Sequence, residues 1–203
     1  KSMKIIIVRH AQTDENIDGG LASAESEVLL NEEGILQAQK LAEHLKIHDI
    51  AIAYTSPQHR AVHTTKEALK HHPRAQIVPS DPLKEQHLGI YEGKGKAEWK
   101  AIKKLSKEPF HLFKPDGGES YLELQKRATD FLHHLVEKHK NETVLLVSHG
   151  GTLGVLLLHL LEKELTEENY RAHQPKNAEV SIVEILESGQ KKIHVLNSSE
   201  HLN

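Results

Sequence analysis

Ile5-Ile6-Ile7-Val8-Arg9-His10-Ala11-Gln12-Thr13 opens with four β-branched apolar residues in succession and ends on polar ones. The apolar run predicts a short strand buried on both faces, as inside a parallel sheet. The strand delivers a cation and an imidazole to its C-terminal end, the end at which open α/β sheets bind ligands. Arg9 offers a planar fork of donors suited to a phosphate. His10 offers a ring nitrogen able to act as a nucleophile near neutral pH. A buried histidine beside a structural arginine would read the same way from two residues alone, so the rest of the chain must decide.

Outward from this strand, Asp14 to Leu29 is a polar loop containing Gly19-Gly20. Asn31 is placed as an N-cap, with Glu32 and Glu33 in the first turn and Ile35, Ala38, Leu41, Ala42 and Leu45 on one helical face. Ala51 to Tyr54 predicts a second strand. Ser56 and Pro57 then read as N-cap and first helical residue, which puts Arg60 one turn into a helix beside that strand's end. Arg9 and Arg60 thus point to a shared anion site. Ile77-Val78 predicts a third strand, closed by Pro79.

Between Ser80 and Ser120 the apolar density falls and Tyr91, Trp99, Phe110 and Phe113 gather. This segment predicts a helical insertion capping the site, with Trp99 in a small satellite core. Lys94 and Lys96 read as solvated lysines, although they could meet an anionic substrate tail. Tyr121, Leu124, Ala128, Phe131, Leu132 and Leu135 mark a long amphipathic helix. Val144-Leu145-Leu146-Val147 predicts a fourth buried strand, followed by Ser148-His149-Gly150-Gly151-Thr152. The glycines allow backbone to approach a ligand, and the next helix aims free N–H groups at the same place. Ala178 to Leu186 and Lys192 to Leu196 predict two closing strands, paired around Ser188-Gly189.

The 203 residues suffice for one domain with a sizeable core. A net charge of -3 gives no basic footprint for nucleic acid, and the absence of cysteine excludes disulfides and thiolate chemistry. Most of the 17 histidines lie on charged helical stretches, such as His71-His72 and His133-His134, and predict surface positions rather than metal ligands. Met3, the single methionine, reads as the initiator. No signal-peptide pattern and no bilayer-length apolar run is present, so a soluble, cytoplasmic protein without a membrane partner is expected.

Several ordered motifs then converge. Arg9-His10-Ala11-Gln12-Thr13 with Asn16 resembles the Arg-His-Gly-x-Thr-x-x-Asn opening of the histidine phosphatase superfamily, the phosphoglycerate-mutase-like proteins. Leu30-Asn31-Glu32-Glu33-Gly34 with Gln37-Ala38, Thr55-Ser56-Pro57 with Arg60-Ala61 and Thr64, and Leu83-Lys84-Glu85 with Gly89, Glu92 and Gly93 follow in the family's order. Pro115 to Ser120 and Val147-Ser148-His149-Gly150-Gly151 complete the set. The resemblance covers roughly residues 3 to 185.

It implies an α/β fold, a three-layer α/β/α sandwich with a mostly parallel sheet, as a single domain over 1–203 with a helical cap insertion at about 80–120. It also implies a metal-independent phosphatase acting on a small phosphorylated metabolite, with no cofactor. In the implied mechanism His10 attacks phosphorus to give a phosphohistidine. Arg9, Arg60 and His149 hold the phosphoryl oxygens, and Glu85 is acid and then base. Asn16, Thr13 and Gly150 are expected to bind substrate.

Three departures from the family pattern carry consequences. The 14–29 loop lacks the Arg-Phe-Gln-Gly segment of many relatives. Ala11 replaces the usual glycine, which predicts a slight narrowing of the site. Gln86-His87 follows Glu85 where mutases typically have Arg and His, and the stretch from Glu92 to Gly117 contains no arginine. Hydrolysis is therefore expected, with phosphoglycerate mutase-type transfer, or a catalytically silent phospho-ligand binding protein, as the alternatives.

Overall fold

The structure is a computed structural model describing residues 1–203. The opening apolar run lies within β1 (Ser2–Arg9), with Ile5 to Val8 fully buried. After it come α1 (Asp14–Ile17), α2 (Glu32–Leu45), β2 (Ile50–Thr55), α3 (His59–Ala68) and β3 (Gln76–Pro79). Two 3₁₀ turns (Asp81–Leu83 and Gly89–Tyr91) and α4 (Lys96–Leu105) precede α5 (Tyr121–Lys138). Then come β4 (Thr143–Ser148), α6 (Gly150–Leu160), α7 (Glu167–His173), β5 (Val180–Leu186) and β6 (Lys191–Ser198). The stretch from 80 to 120 adds no strand to the sheet.

The sheet order is β3-β2-β4-β1-β5-β6. β1 runs parallel to β4, and β2 parallel to both β4 and β3, whereas β5 and β6 are antiparallel. Alternation along each strand sends side chains to opposite faces. Ile5 and Ile7 pack with Leu132 and Leu135 of α5 and Leu153, Leu156 and Leu160 of α6. Ile6 and Val8 pack with Leu41 and Leu45 of α2 and Ala61 and Ala68 of α3. Helices therefore cover both faces, and the three-layer expectation holds. No helix is long and apolar enough to cross a membrane.

One helix start differs from the sequence reading. α3 begins at His59 with Gln58 as its N-cap, not at Pro57 behind Ser56. Ser56 is engaged elsewhere: its amide donates to Val147 O and its hydroxyl lies 2.7 Å from His149 Nε2. Arg60 consequently sits in the first turn of α3. Ala11 also departs from expectation. Its methyl packs with Leu30, Ala38 and Ala178 and does not narrow the crevice. Trp99 is buried, with Tyr91 and Phe113 at ring distances of 5.8 and 5.7 Å, as the satellite core predicts.

Candidate active site

The parallel half of the sheet brings the C-terminal ends of β1, β2 and β4 to one edge. His10 follows β1 directly, and its amide donates to Ser148 O at 2.9 Å. The ring is 2% exposed, and its Nδ1 lies 2.7 Å from Ala11 O. A carbonyl only accepts, so Nδ1 carries the hydrogen and Nε2 keeps a free lone pair. Burial, then the charges of Arg60 and Arg9, hold the His10 pKa well below the ordinary histidine value. Neutral at physiological pH, the ring has the form a nucleophile requires.

His149 faces it with ring centres 5.2 Å apart. Burial, followed by Arg60, His10, Arg9 and Arg127, lowers its pKa in the same way. Arg9 donates from Nη1 to Pro175 O at 2.8 Å. Arg60 is fully buried and donates from Nη1 to Ser26 O at 2.7 Å and from Nη2 to Ser23 O at 3.2 Å. Burial brings the Arg60 pKa down to about 10, which still leaves it charged at neutral pH. Arg9 Nε, Arg60 Nε and His149 Nδ1 are buried without hydrogen-bond partners. Three unpartnered buried nitrogens on residues neighbouring His10 suit an incoming anion better than a closed core.

Glu85 approaches from the turn after β3. Its Oε2 accepts from Gly151 N at 2.9 Å, and its Oε1 accepts from Thr152 N at 3.0 Å and Gln86 N at 2.9 Å. The carboxylate thus caps the N-terminus of α6, where partial positive charge collects. Its main chain is anchored as well. Glu85 N donates to Gln58 Oε1 at 3.1 Å, and Arg127 Nη1 donates to Pro82 O and Lys84 O at 2.7 and 3.1 Å. Arg127 is itself held by both carboxylate oxygens of Glu119, each at 2.8 Å.

Of the residues singled out from sequence, Arg9, His10, Asn16, Glu85 and Gly150 line one crevice of about 530 Å³. Lys96 lines it too, while Arg60 and His149 lie behind that wall. Thr13 does not reach it. The side chain is fully buried, its hydroxyl donates to Asn16 Oδ1 at 3.2 Å, and it therefore supports Asn16 rather than touching a ligand. Sequence reading missed Gln58, Gln174 and Asn177. Asn177 Nδ2 donates to His10 O and to Asn16 Oδ1, each at 3.0 Å. A usable signal existed for the last two: an antiparallel β5 must begin where β1 ends, so residues just before it fall beside His10. No three His, Asp or Glu side chains converge closely enough to hold a metal ion.

A family model described as the histidine phosphatase superfamily (branch 1) matches residues 5–199. The chain belongs to this superfamily. A metal-independent phosphoserine phosphatase of Arabidopsis thaliana is 31% identical over 191 residues, covering 90% of this chain and 76% of that protein. The solved structure of Bacillus stearothermophilus YhfR superposes with a TM-score of 0.89 at 26% identity, covering 99% of this chain and 100% of that one. A phosphoserine phosphatase of Entamoeba histolytica, solved with 3-phosphoglyceric acid, gives 0.82 at 28% identity over 99% of this chain and 100% of that one. This histidine phosphatase is a phosphomonoester hydrolase with a phosphoglycerate mutase-like fold.

Proposed function

We propose that the enzyme hydrolyses its ester in two in-line steps at phosphorus, with His10 as nucleophile and Glu85 as proton carrier. The observation that carries this reading is the neutral His10 ring, with its Nδ1–H committed to Ala11 O, opening onto the same crevice as Glu85. In the first step the Nε2 lone pair forms the N–P bond while the ester P–O bond breaks, and Glu85 delivers its proton to the departing alkoxide. In the second step water attacks phosphorus and gives its proton to Glu85, and the N–P electron pair returns to Nε2.

Arg9 supplies donors to the equatorial oxygens from the crevice wall, and Arg60 and His149 have only their unpartnered Nε and Nδ1 to offer, from the buried layer beside His10. Asn16 and Gly150 on the crevice wall complete the cradle, and the 80–120 insertion acts as its cap. The absence of arginine from Glu92 to Gly117 favours water over a second phosphorylated alcohol as acceptor. Mixing enzyme and substrate, quenching in alkali and measuring intact mass should show a phosphoryl adduct on His10. His10→Ala should show neither adduct nor turnover while keeping its fold, and turnover in that variant would end the covalent reading.

A further inference from the structure

Two spaces meet at Glu85. One is the open crevice, which also touches His10. The other is a smaller cavity of about 90 Å³ that shares Leu21, Ala22, Glu85 and Gln174 with the crevice and does not touch His10. Its remaining wall sets the buried side chains of Leu88, Trp99, Tyr121 and Tyr170 beside the polar Ser23 and Gln86 and the backbone of Gly151. The Tyr170 hydroxyl accepts from Gln174 Nε2 at 3.0 Å and the Tyr121 hydroxyl from Lys103 Nζ at 2.9 Å, so both rings are tethered. Neither phenol ionises near neutral pH, since burial raises both pKa values. No lysine or arginine lines this cavity, whereas Lys96 and Lys176 both line the open crevice.

In-line displacement separates the two spaces by role. Nucleophile and leaving oxygen lie on opposite sides of phosphorus, and the acid must reach the leaving oxygen. The side of Glu85 away from His10 is therefore where the leaving group's carbon skeleton goes. We propose that the cavity walled by Leu88, Trp99, Tyr121 and Tyr170 is the leaving-group subsite, selecting phosphate esters of compact alcohols that carry no negative charge. Its volume is about one sixth of the crevice's 530 Å³, so it takes a short skeleton and not a long one. An anionic leaving group would lose hydration there without meeting a counter-ion, since no lysine or arginine lines the cavity. The proposal rests on the in-line reading above and adds a substrate class to it.

The test compares kcat/KM for propyl phosphate, hexyl phosphate and 3-phosphoglycerate, with inorganic phosphate inhibition as a readout independent of the leaving group. The parent enzyme should favour propyl over both others by about tenfold or more, as one or two misplaced methylenes or an unpaired charge would give. Leu88→Ala and Trp99→Leu, which enlarge the cavity, should each shrink the propyl-to-hexyl ratio several-fold while leaving phosphate inhibition within about twofold. Equal rates on propyl and hexyl phosphate in the parent, a preference for 3-phosphoglycerate, or a ratio unmoved in a folded variant would each overturn the subsite alone. An enzyme that turns over none of the esters and binds no inorganic phosphate in a calorimetric titration overturns the in-line reading and the subsite together.

Discussion

Glu85 and Gly151 are fitted to each other. The carboxylate accepts the Gly151 amide at 2.9 Å, and a Cβ added at position 151 would stand 2.4 Å from Glu85 Oε1. A Cβ there would have to displace the carboxylate, the far end of a flexible side chain, so the glycine is what lets Glu85 hold this position against α6. Gly151→Ala should push the carboxylate off the helix end and lower kcat on alkyl esters by about 100-fold, the lower end of what a positioned acid contributes. Circular dichroism should show the fold retained. Unchanged kcat would detach Glu85 from the proton-transfer role.

Glu85→Gln separates the acid from the shape. An alkyl alkoxide needs a proton on leaving far more than p-nitrophenolate does. The variant should therefore lose more rate in phosphorylation by propyl phosphate than by p-nitrophenyl phosphate, measured in the pre-steady state. One α6 amide also loses its side-chain oxygen acceptor, which should cost about 1 kcal/mol of stability. Equal losses on the two esters would leave Glu85 as a positioning group, with His149 as the candidate acid.

Arg60→Lys keeps the charge and removes the fork. Arg60 reaches two carbonyls of the 23–26 loop while its Nε stays free, and an ammonium cannot span that arrangement. kcat/KM should fall by at least about tenfold, and limited proteolysis should cut faster between residues 21 and 29. Parent-like values in both assays would make the residue dispensable.

His201 predicts a pH dependence of stability. It stacks on His44 with ring centres 4.8 Å apart, both of its nitrogens are buried without partners, and burial together with His44 lowers its pKa to about 4. The unfolded chain takes up this proton near the ordinary value of about 6.5. Between those values the unfolded state binds more protons, so the contribution is complete above pH 6.5 and is lost as pH falls toward 4. Between pH 7.5 and 5 the melting temperature of the parent should drop further than that of His201→Phe; identical drops would refute the coupling.

Much of this molecule could be read from residues 5 to 8 and 144 to 147, because a doubly buried strand has few alternatives in a chain of this length. The amphipathic faces of α2 and α5 followed their 3.6-residue periods for the same reason. The start of α3 was misplaced because Ser56 resembles a local cap, while its hydroxyl serves His149, which is 93 positions away in the chain. Helix α7 left no periodic trace: it is seven residues long and buries only Tyr170. Gln58, whose amide ties Glu85 to the loop carbonyls at Ser23 and Ala24, carries no local signal at all. Such residues are defined by partners from three separate segments, which a reading along one dimension does not bring together.

The register of β1 has a consequence for how the enzyme is made. Ile7 pairs with Leu146 on one side and Ser181 on the other, so the strand that bears the nucleophile is completed only by residues well over one hundred positions later. At ribosomal rates this apolar run emerges and waits on the order of ten seconds for its neighbours. Contacts of such sequence separation also make folding slow. Throughout that interval Ile5 to Val8 lack the strands that bury and pair them, and a chain truncated before β4 and β5 cannot assemble this active site.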